Sequence, residues 1–303
     1  MNSLQEKILA LKKEKDALII AHYYQTLDVQ EIADVVGDSF EMAQRAANAN
    51  QETLVVCGVH FMAESAKILS PEKTVLLPRL DAGCPMANMV TPEDVAKLRK
   101  QYPGAAVVCY VNTSATVKAV SDVCCTSSSA VKIVRALPEK QIIFVPDQNL
   151  GAYVASQVPE KEIILYDGCC PIHHFVTESD AIDAKKTFPK AKLLAHPECR
   201  PEVLAHADYI GSTKGIINEA TSSEAGEFII GTEVEIAELL RKRMPEKSFY
   251  PLRDSFICPN MKKTRLSDII NALENGEYEI TPGIDVIKAA KASLERMVAL
   301  GKV

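Results

Sequence analysis

What this chain lacks narrows its chemistry first. It has no Gly-x-Gly-x-x-Gly fingerprint, no Gly-Lys-Ser/Thr phosphate loop, no His-Glu-x-x-His and no Gly-x-Ser-x-Gly, so dinucleotide oxidoreductase, NTPase and serine hydrolase readings all weaken. No stretch approaches the roughly 18 apolar residues of a membrane span. Positive charge is in short supply: 34 basic against 40 acidic side chains give a net charge of −6. The one basic cluster, Lys262-Lys263-Thr-Arg265, is short, so neither nucleic acid nor membrane is an expected partner. The first fifteen residues set Leu4, Ile8 and Leu11 on one helical face and charge on the other, without the apolar centre of an export signal. Nine cysteines, an odd number in such a chain, argue against disulfides and for metal-binding or catalytic thiols in a reducing cytoplasm. None of them forms a Cys-x2-Cys pair, the usual local run of a zinc or iron-sulfur site.

What is present is a repeat. Cys84-Pro85, Cys170-Pro171 and Cys258-Pro259 follow one another at intervals of 86 and 88 residues. Other features recur at the same period: the apolar run ending at His22 returns ending at Tyr110 and at His196, and Leu54-Val-Val-Cys-Gly58 returns as Ile142 to Pro146 and Glu227 to Thr232. Asp38-Ser39, Thr126-Ser127 and Ser212-Thr213 place hydroxyls ahead of a helix in each copy. A fixed period of this kind signals one module used several times. The expected units are 1–85, 86–171 and 172–279, each small enough to need its neighbours for a full core. A tail beginning near 260, with helices over Leu266–Leu273 and Val286–Leu300, has no evident counterpart in the repeats; its last stretch, about 280–303, is expected to pack on the first unit.

Within the first unit, Ala17–Ala21, Thr53–Val56 and Thr74–Leu77 read as strands. Val29–Val36, Phe40–Ala49 and Phe61–Leu69 read as helices. Continuous apolar runs rather than alternating ones indicate parallel strands buried on both faces with crossover helices between them. The fold class is therefore α/β: three αβα domains with short parallel sheets, which a pseudo-threefold axis would relate. Ligands of such sheets bind beyond the carboxyl ends of the strands. His22, Tyr110 and His196 occupy one equivalent position there, and Tyr24, Asn112 and Glu198 another. The axis brings these six together, with the site at the central junction.

One equivalent cysteine from each unit, converging on the axis, suits a cluster with one iron left open to substrate. That iron then serves as a Lewis acid assisting loss of water. Cys84, Cys170 and Cys258 are the candidates; loop cysteines without metal are the plain alternative. Cys57, Cys109 and Cys124 read as core packing. Cys125 and Cys199 have no equivalents, and Cys169 adjoins Cys170 but lacks the following proline. Zinc on Cys170 with His173 and His174 lacks a fourth local ligand. Glu198, in His196-Pro-Glu198-Cys-Arg200, is the candidate proton acceptor. Ser39, Ser127, Ser212 and Thr213 are either helix caps or anion-binding hydroxyls, and the two roles are compatible.

These residues resemble the quinolinate synthase family over nearly the whole chain. The resemblance rests on His22-Tyr-Tyr24, Gly37-Asp-Ser39, Phe61-Met-Ala-Glu64, Cys84-Pro-Met-Ala-Asn88, Tyr110-Val-Asn112, Cys125-Thr-Ser127, Cys170-Pro-Ile-His173, His196-Pro-Glu198, Gly211-Ser-Thr213 and Asn260-Met-Lys-Lys263. It implies a [4Fe-4S] cluster on Cys84, Cys170 and Cys258. It also implies condensation of iminoaspartate with dihydroxyacetone phosphate to quinolinate, with release of phosphate and two waters, and a transient hand-over from the enzyme that makes iminoaspartate. Substrate-contacting positions carry over to His22, Ser39, Tyr110, Asn112, Ser127, His196, Glu198 and Thr213, with Tyr24, His173 and Ser212 close by. Glu198 is then the leading acid/base, with Tyr24 and His22 as the other catalytic candidates. Two departures stand out: no cysteine follows Cys258, and Cys169 stands where other members often have a non-thiol. The rival class is an iron-sulfur sensor or electron-transfer protein without substrate turnover; a zinc hydrolase is a third.

Overall fold

Residues 3–301 are described by the structure, a computed structural model. Met1, Asn2, Lys302 and Val303, the outermost positions of the first unit and of the tail, lie outside the described residues. Among those described, twelve short strands form three four-stranded sheets, and every strand pairing is parallel. The first sheet holds β1 (Ala17–His22), β2 (Val35–Gly37), β3 (Thr53–Cys57) and β4 (Thr74–Leu76). The second holds β5 (Ala106–Tyr110), β6 (Val123–Cys125), β7 (Gln141–Val145) and β8 (Glu162–Leu165). The third holds β9 (Lys192–Ala195), β10 (Tyr209–Ile210), β11 (Glu227–Gly231) and β12 (Ser248–Pro251). Spatial order is the same in all three, with the second strand at one edge and the first, third and fourth following: β2-β1-β3-β4, β6-β5-β7-β8 and β10-β9-β11-β12.

β1 and β5 are buried along their whole length, which is why their sequences are unbroken apolar runs: helices cover both faces of a parallel sheet. The second strands are the part that the sequence reading placed elsewhere. Val35 and Val36 were expected to end a helix, but that helix stops at Ile32 and β2 begins three residues later. The turn is made by Asp34, whose carboxylate accepts the Ile19 N–H at 2.9 Å while its own N–H donates to the Ile19 carbonyl. Asp122 does the same to Val107 and Asp208 to Leu193. One carboxylate per unit thus fixes where the second strand joins the first.

The repeat also runs further than its cysteines. Helices Pro92–Gln101, Glu178–Thr187 and Leu266–Asn275 each follow a Cys-Pro turn. Asp94, Asp180 and Asp268, three residues in, accept the N–H of Thr91, Thr177 and Arg265. The start of the tail is therefore a further copy of an element expected to have none. Apolar residues of Leu266–Asn275 share a core cluster with Ile8 of helix Ser3–Glu14 and with β1 and β3, and 278–280 hydrogen-bonds along the free edge of β4. The last helix, Ile284–Gly301, packs chiefly on helix Ala115–Ala119 and β6 of the second unit, and it also meets helix His60–Leu69 and Phe40 of the first. The stripe Ile287, Ala290, Leu294, Met297 explains this: it is buried in the core shared by all three sheets. Among the described residues, no helix is long and apolar enough to cross a membrane.

Because Leu294 is wholly buried in that shared core, Leu294→Ala is expected to lower unfolding stability by about 2–5 kcal/mol. Leu4→Ala, at a 44 % exposed position, should fall within about 0.5 kcal/mol of the parent. Urea denaturation with unchanged m-value checks both.

Candidate active site

The carboxyl ends of β1, β5 and β9 meet around a cavity enclosing about 110 Å³ of free space, against the roughly 10–15 Å³ that one water needs. A molecule of metabolite size fits. His22, Tyr24, Tyr110, Asn112, His196 and Glu198, the six residues set in register at the strand ends, all line it. So do Cys84, Cys170 and Cys258, along with Ser39, Ser127, Thr213 and His173. Ser212 does not.

The two histidines are oriented by the same local device. Two residues beyond each ring, a backbone N–H donates to Nδ1: Tyr24 N–H to His22 at 3.1 Å, and Glu198 N–H to His196 at 3.3 Å. An accepting Nδ1 fixes the tautomer with the proton on Nε2, leaving Nε2–H to donate to a ligand. Burial pushes both imidazoles down to about 3, and for His22 the neighbouring His196 adds to this. Both are therefore neutral donors near neutral pH.

Glu198 is 3 % exposed. Burial alone pushes its carboxyl up, but His173, with Nδ1 at 2.8 Å, the neighbouring His196 and the Tyr110 hydroxyl outweigh that and hold it below the usual carboxylate range. His173 continues the chain: its Nε2 lies 3.0 Å from Thr232 Oγ1, which lies 2.6 Å from the Tyr24 hydroxyl, to which Thr213 donates at 3.0 Å. Every member is satisfied if protons run from Thr213 through Tyr24 and Thr232 to His173 Nε2, with His173 Nδ1–H donating to Glu198. At the cavity itself, Glu198 Oε1 and Asn112 Oδ1 are buried acceptors with no partner among the described residues. Buried acceptors left open in this way are sites for a ligand. Asn149, from the next helix, anchors the Glu198 carbonyl at 3.0 Å.

The cysteines share a turn geometry. Proline follows each, and the backbone N–H three residues on acts on the sulfur: Ala87 on Cys84, His173 on Cys170, Met261 on Cys258. Burial pushes all three thiols up, Cys84 to about 12, while these N–H groups favour the thiolate. The Cys170 N–H is held by Asp147 at 2.9 Å and the Cys258 N–H by Glu233 at 3.4 Å. Asp147 and Glu233 are both wholly buried and stand 86 residues apart, one repeat interval. The sulfurs are not close enough together to share a single ion; among the described residues, the metal-ligand set within 4.8 Å is Cys170, His173 and Glu198. Three thiols spread around one cavity, each fed by backbone N–H groups, do suit a cluster several atoms across. Cys169 is absent from the cavity lining, its N–H directed at Met89 Sδ. Cys57, Cys109, Cys124, Cys125 and Cys199 are wholly buried.

The hydroxyls divide by role. Asp38, not Ser39, caps helix Ser39–Ala47 by accepting from Phe40 and Glu41 N–H, and Ser212 caps helix Thr213–Ser222 through Gly215 N–H. Ser39 and Ser127 line the cavity without a capping bond. Thr232, Glu233, Asp147 and Asn149 escaped the sequence reading. The repeat carried a signal for two of them, since Asp147 and Glu233 follow the third strands at the common interval, but an isolated acidic residue reads as surface.

His22 supplies a pH test with a definite sign. Its folded value lies near 3, so between about 6.5 and 3 the unfolded chain takes a proton that the folded one refuses. Stability from the neutral ring is complete above that window and is lost as pH falls through it. The stability of the parent relative to His22→Gln should therefore drop by about 1.4 kcal/mol per pH unit below 6.5, read from urea melts between pH 7 and 5. A difference that stays flat would mean His22 takes up its proton in the folded state.

Comparison with known proteins agrees with this geometry. Residues 6–299 match the family described as quinolinate synthetase A protein. The chain is 54% identical over 300 residues to a quinolinate synthase of Caldicellulosiruptor saccharolyticus, covering 99% of each. It is 50% identical over 300 residues to one of Thermodesulfovibrio yellowstonii, again 99% of each. With "quinolinate synthase 2" of Methanosarcina acetivorans it shares 50% over 297 residues, 98% of this chain and 96% of that one. With a match over nearly the full length, and with the three cysteines, the strand-end residues and the hydroxyls of Ser39, Ser127 and Thr213 lining one cavity, the chain belongs to the quinolinate synthetase A family of enzymes.

Proposed function

We propose that this chain condenses iminoaspartate with dihydroxyacetone phosphate to quinolinate, in NAD biosynthesis, releasing phosphate and two waters. The observation that carries the reading is the single cavity lined by one Cys-Pro turn from each repeat and by a buried, half-partnered Glu198. Cys84, Cys170 and Cys258 would hold a [4Fe-4S] cluster, which when bound supplies an open Lewis-acid iron for dehydration.

The chain's own residues do the rest. Nε2–H of His22 and of His196 donate to the carboxylate or carbonyl oxygens of the substrates. Asn112 and Tyr110 fix orientation from the second sheet. Ser39 and Thr213, at helix starts in the first and third units, and Ser127, in the turn before a helix of the second, take the phosphate or a carboxylate. Glu198, ionised and paired with His173, accepts the proton of a carbon or hydroxyl being activated. Tyr24, held at the cavity wall by Thr213 and Thr232, is placed to hydrogen-bond a substrate hydroxyl beside Glu198. Burial of the whole set keeps water away from the reactive imine.

A mononuclear ion on Cys170, His173 and Glu198 is a second reading, favoured by their mutual proximity. It would occupy His173 Nδ1 and break the Glu198 contact. Anaerobic purification followed by iron, sulfide and zinc counts decides between them: four iron and four sulfide per chain, with quinolinate formed from the two substrates, is the expected result. Stoichiometric zinc without iron would sink the cluster.

Glu198→Gln should keep colour and fold but lose about 10²- to 10⁴-fold in turnover; near-normal quinolinate formation would remove Glu198 from the mechanism. Cys84→Ala, Cys170→Ala and Cys258→Ala should each be cluster-depleted and inactive, whereas Cys169→Ala stays brown and active. Four iron retained in Cys170→Ala, with loss in Cys169→Ala, would show that the wrong sulfur was chosen.

A further inference from the structure

Asp147 and Glu233 are repeat equivalents, both buried, both holding the N–H of a cavity cysteine. They differ in one respect. Among the described residues, no cation pairs with Asp147, whereas Glu233 faces the ammonium of Lys262 at 3.0 Å. Lys262 lies four residues beyond Cys258, on the same loop. Its Nζ also donates to the Tyr24 carbonyl at 2.6 Å and meets Glu235 at 2.8 Å. Glu235 in turn accepts the Leu27 N–H at 3.2 Å. A second tie runs parallel to it: the wholly buried Gln25 donates to the Met261 carbonyl at 2.7 Å.

Two residues matter most here. Tyr24 and Thr232 come from the first and third units, and their hydroxyls approach to 2.6 Å. Lys262 grips the backbone of Tyr24 and the side chain of Glu233, the residue next to Thr232. We infer that Lys262 is a positioning residue: one ammonium ties the Cys258 loop to both ends of the Tyr24–Thr232 hydrogen bond, so the cysteine and the tyrosine are placed together. The part of the inference that concerns turnover rests on the function proposed above. The part that concerns the loop does not.

The contacts explain why a lysine suits this point. Three acceptors of different origin converge on it: a carbonyl and two carboxylates. An ammonium has three donors that can be aimed independently, where a guanidinium offers a flat fork. Removing it alone leaves the buried Glu233 charge without its partner, which is strongly destabilising in its own right. Glu233→Gln removes that charge and, with its carbonyl oxygen turned toward Cys258, keeps the bond from the Cys258 N–H while giving up the one from Glu235 N–H, which the other carboxylate oxygen accepts.

The test is therefore Lys262→Met/Glu233→Gln, alongside Lys262→Met alone and Lys263→Met as a neighbouring control. Lys263 contacts Asp81 near the surface and should change nothing. Lys262→Met should melt well below the parent, and the double variant should recover most of that loss. Two readouts should not recover. In the metal-free full-length chain, the peptide containing Cys258 should react with N-ethylmaleimide roughly tenfold faster than in the parent, because the loop opens more often. In the cluster-loaded enzyme, kcat should stay down roughly 10- to 100-fold with KM within about twofold, as expected when a catalytic group is misplaced rather than lost. A double variant that labels and turns over like the parent would overturn the inference and leave only a buried ion pair. If the parent forms no quinolinate, the proposed function fails, and the labelling rates still decide the loop.

Discussion

A carboxylate kept ionised in a dry junction between three sheets is the constraint to which the rest of the site answers. Taking such a charge out of water costs several kcal/mol even after relaxation. The imidazole of His173 at 2.8 Å offsets this for one oxygen of Glu198. The other oxygen has no partner among the described residues. His173 can face Glu198 only because its far nitrogen is occupied by Thr232, and Thr232 is aligned by Tyr24. Each of these comes from a different part of the chain, so the carboxylate's state depends on how the units are docked. Asp147, a short way off, shows the reverse outcome. Burial and the Glu198 charge push its carboxyl well above the usual carboxylate range, despite backbone N–H donors from Leu150 and Cys170.

The scaffold is repeated while the chemistry is not. Asp34, Asp122 and Asp208 perform one task three times with nearly the same geometry. At the strand ends, the equivalent places hold His22, Tyr110 and His196, then Tyr24, Asn112 and Glu198. The places equivalent to Asp147 and Glu233 tell the same story, since Val59 stands there in the first unit. Backbone contacts need only a carboxylate at a turn, and a module preserves them on duplication. A single ligand on the axis presents three different sides, and the wall positions differ accordingly.

Much of this was legible in the sequence because it is periodic or locally marked. Buried parallel strands gave continuous apolar runs, so β1, β3 and β4 were placed to within a residue or two. Proline after cysteine at a constant interval singled out the three turns that reach the cavity. The second strands escaped because two or three residues carry no period, and Val35–Val36 continued the apolar pattern of the helix before them. The role of Leu266–Asn275 as a further repeat helix was hidden because its cap residue is Arg265 where the others have Thr91 and Thr177. Thr232 and Glu233 were unreadable for another reason: their partners, Tyr24 and Lys262, lie some 208 and 29 residues away. Nothing local reports a contact of that kind. The choice between cap and ligand roles for the hydroxyls likewise needed coordinates, since Asp38 and Ser39 are adjacent and either could have served.

The cavity belongs to no single sheet, and this has a thermodynamic side. Whatever binds there touches all three units at once, so its binding free energy is also cohesion between them. By linkage, a ligand at a hundred times its dissociation constant adds about 2.7 kcal/mol to the folded state, a sizeable part of the roughly 5–15 kcal/mol that holds a typical domain together. Occupancy acts as a keystone in an arch of three stones. The loaded protein then differs from the empty one in how firmly its parts are held, and survival against heat or proteases becomes a measure of how well supplied the site is.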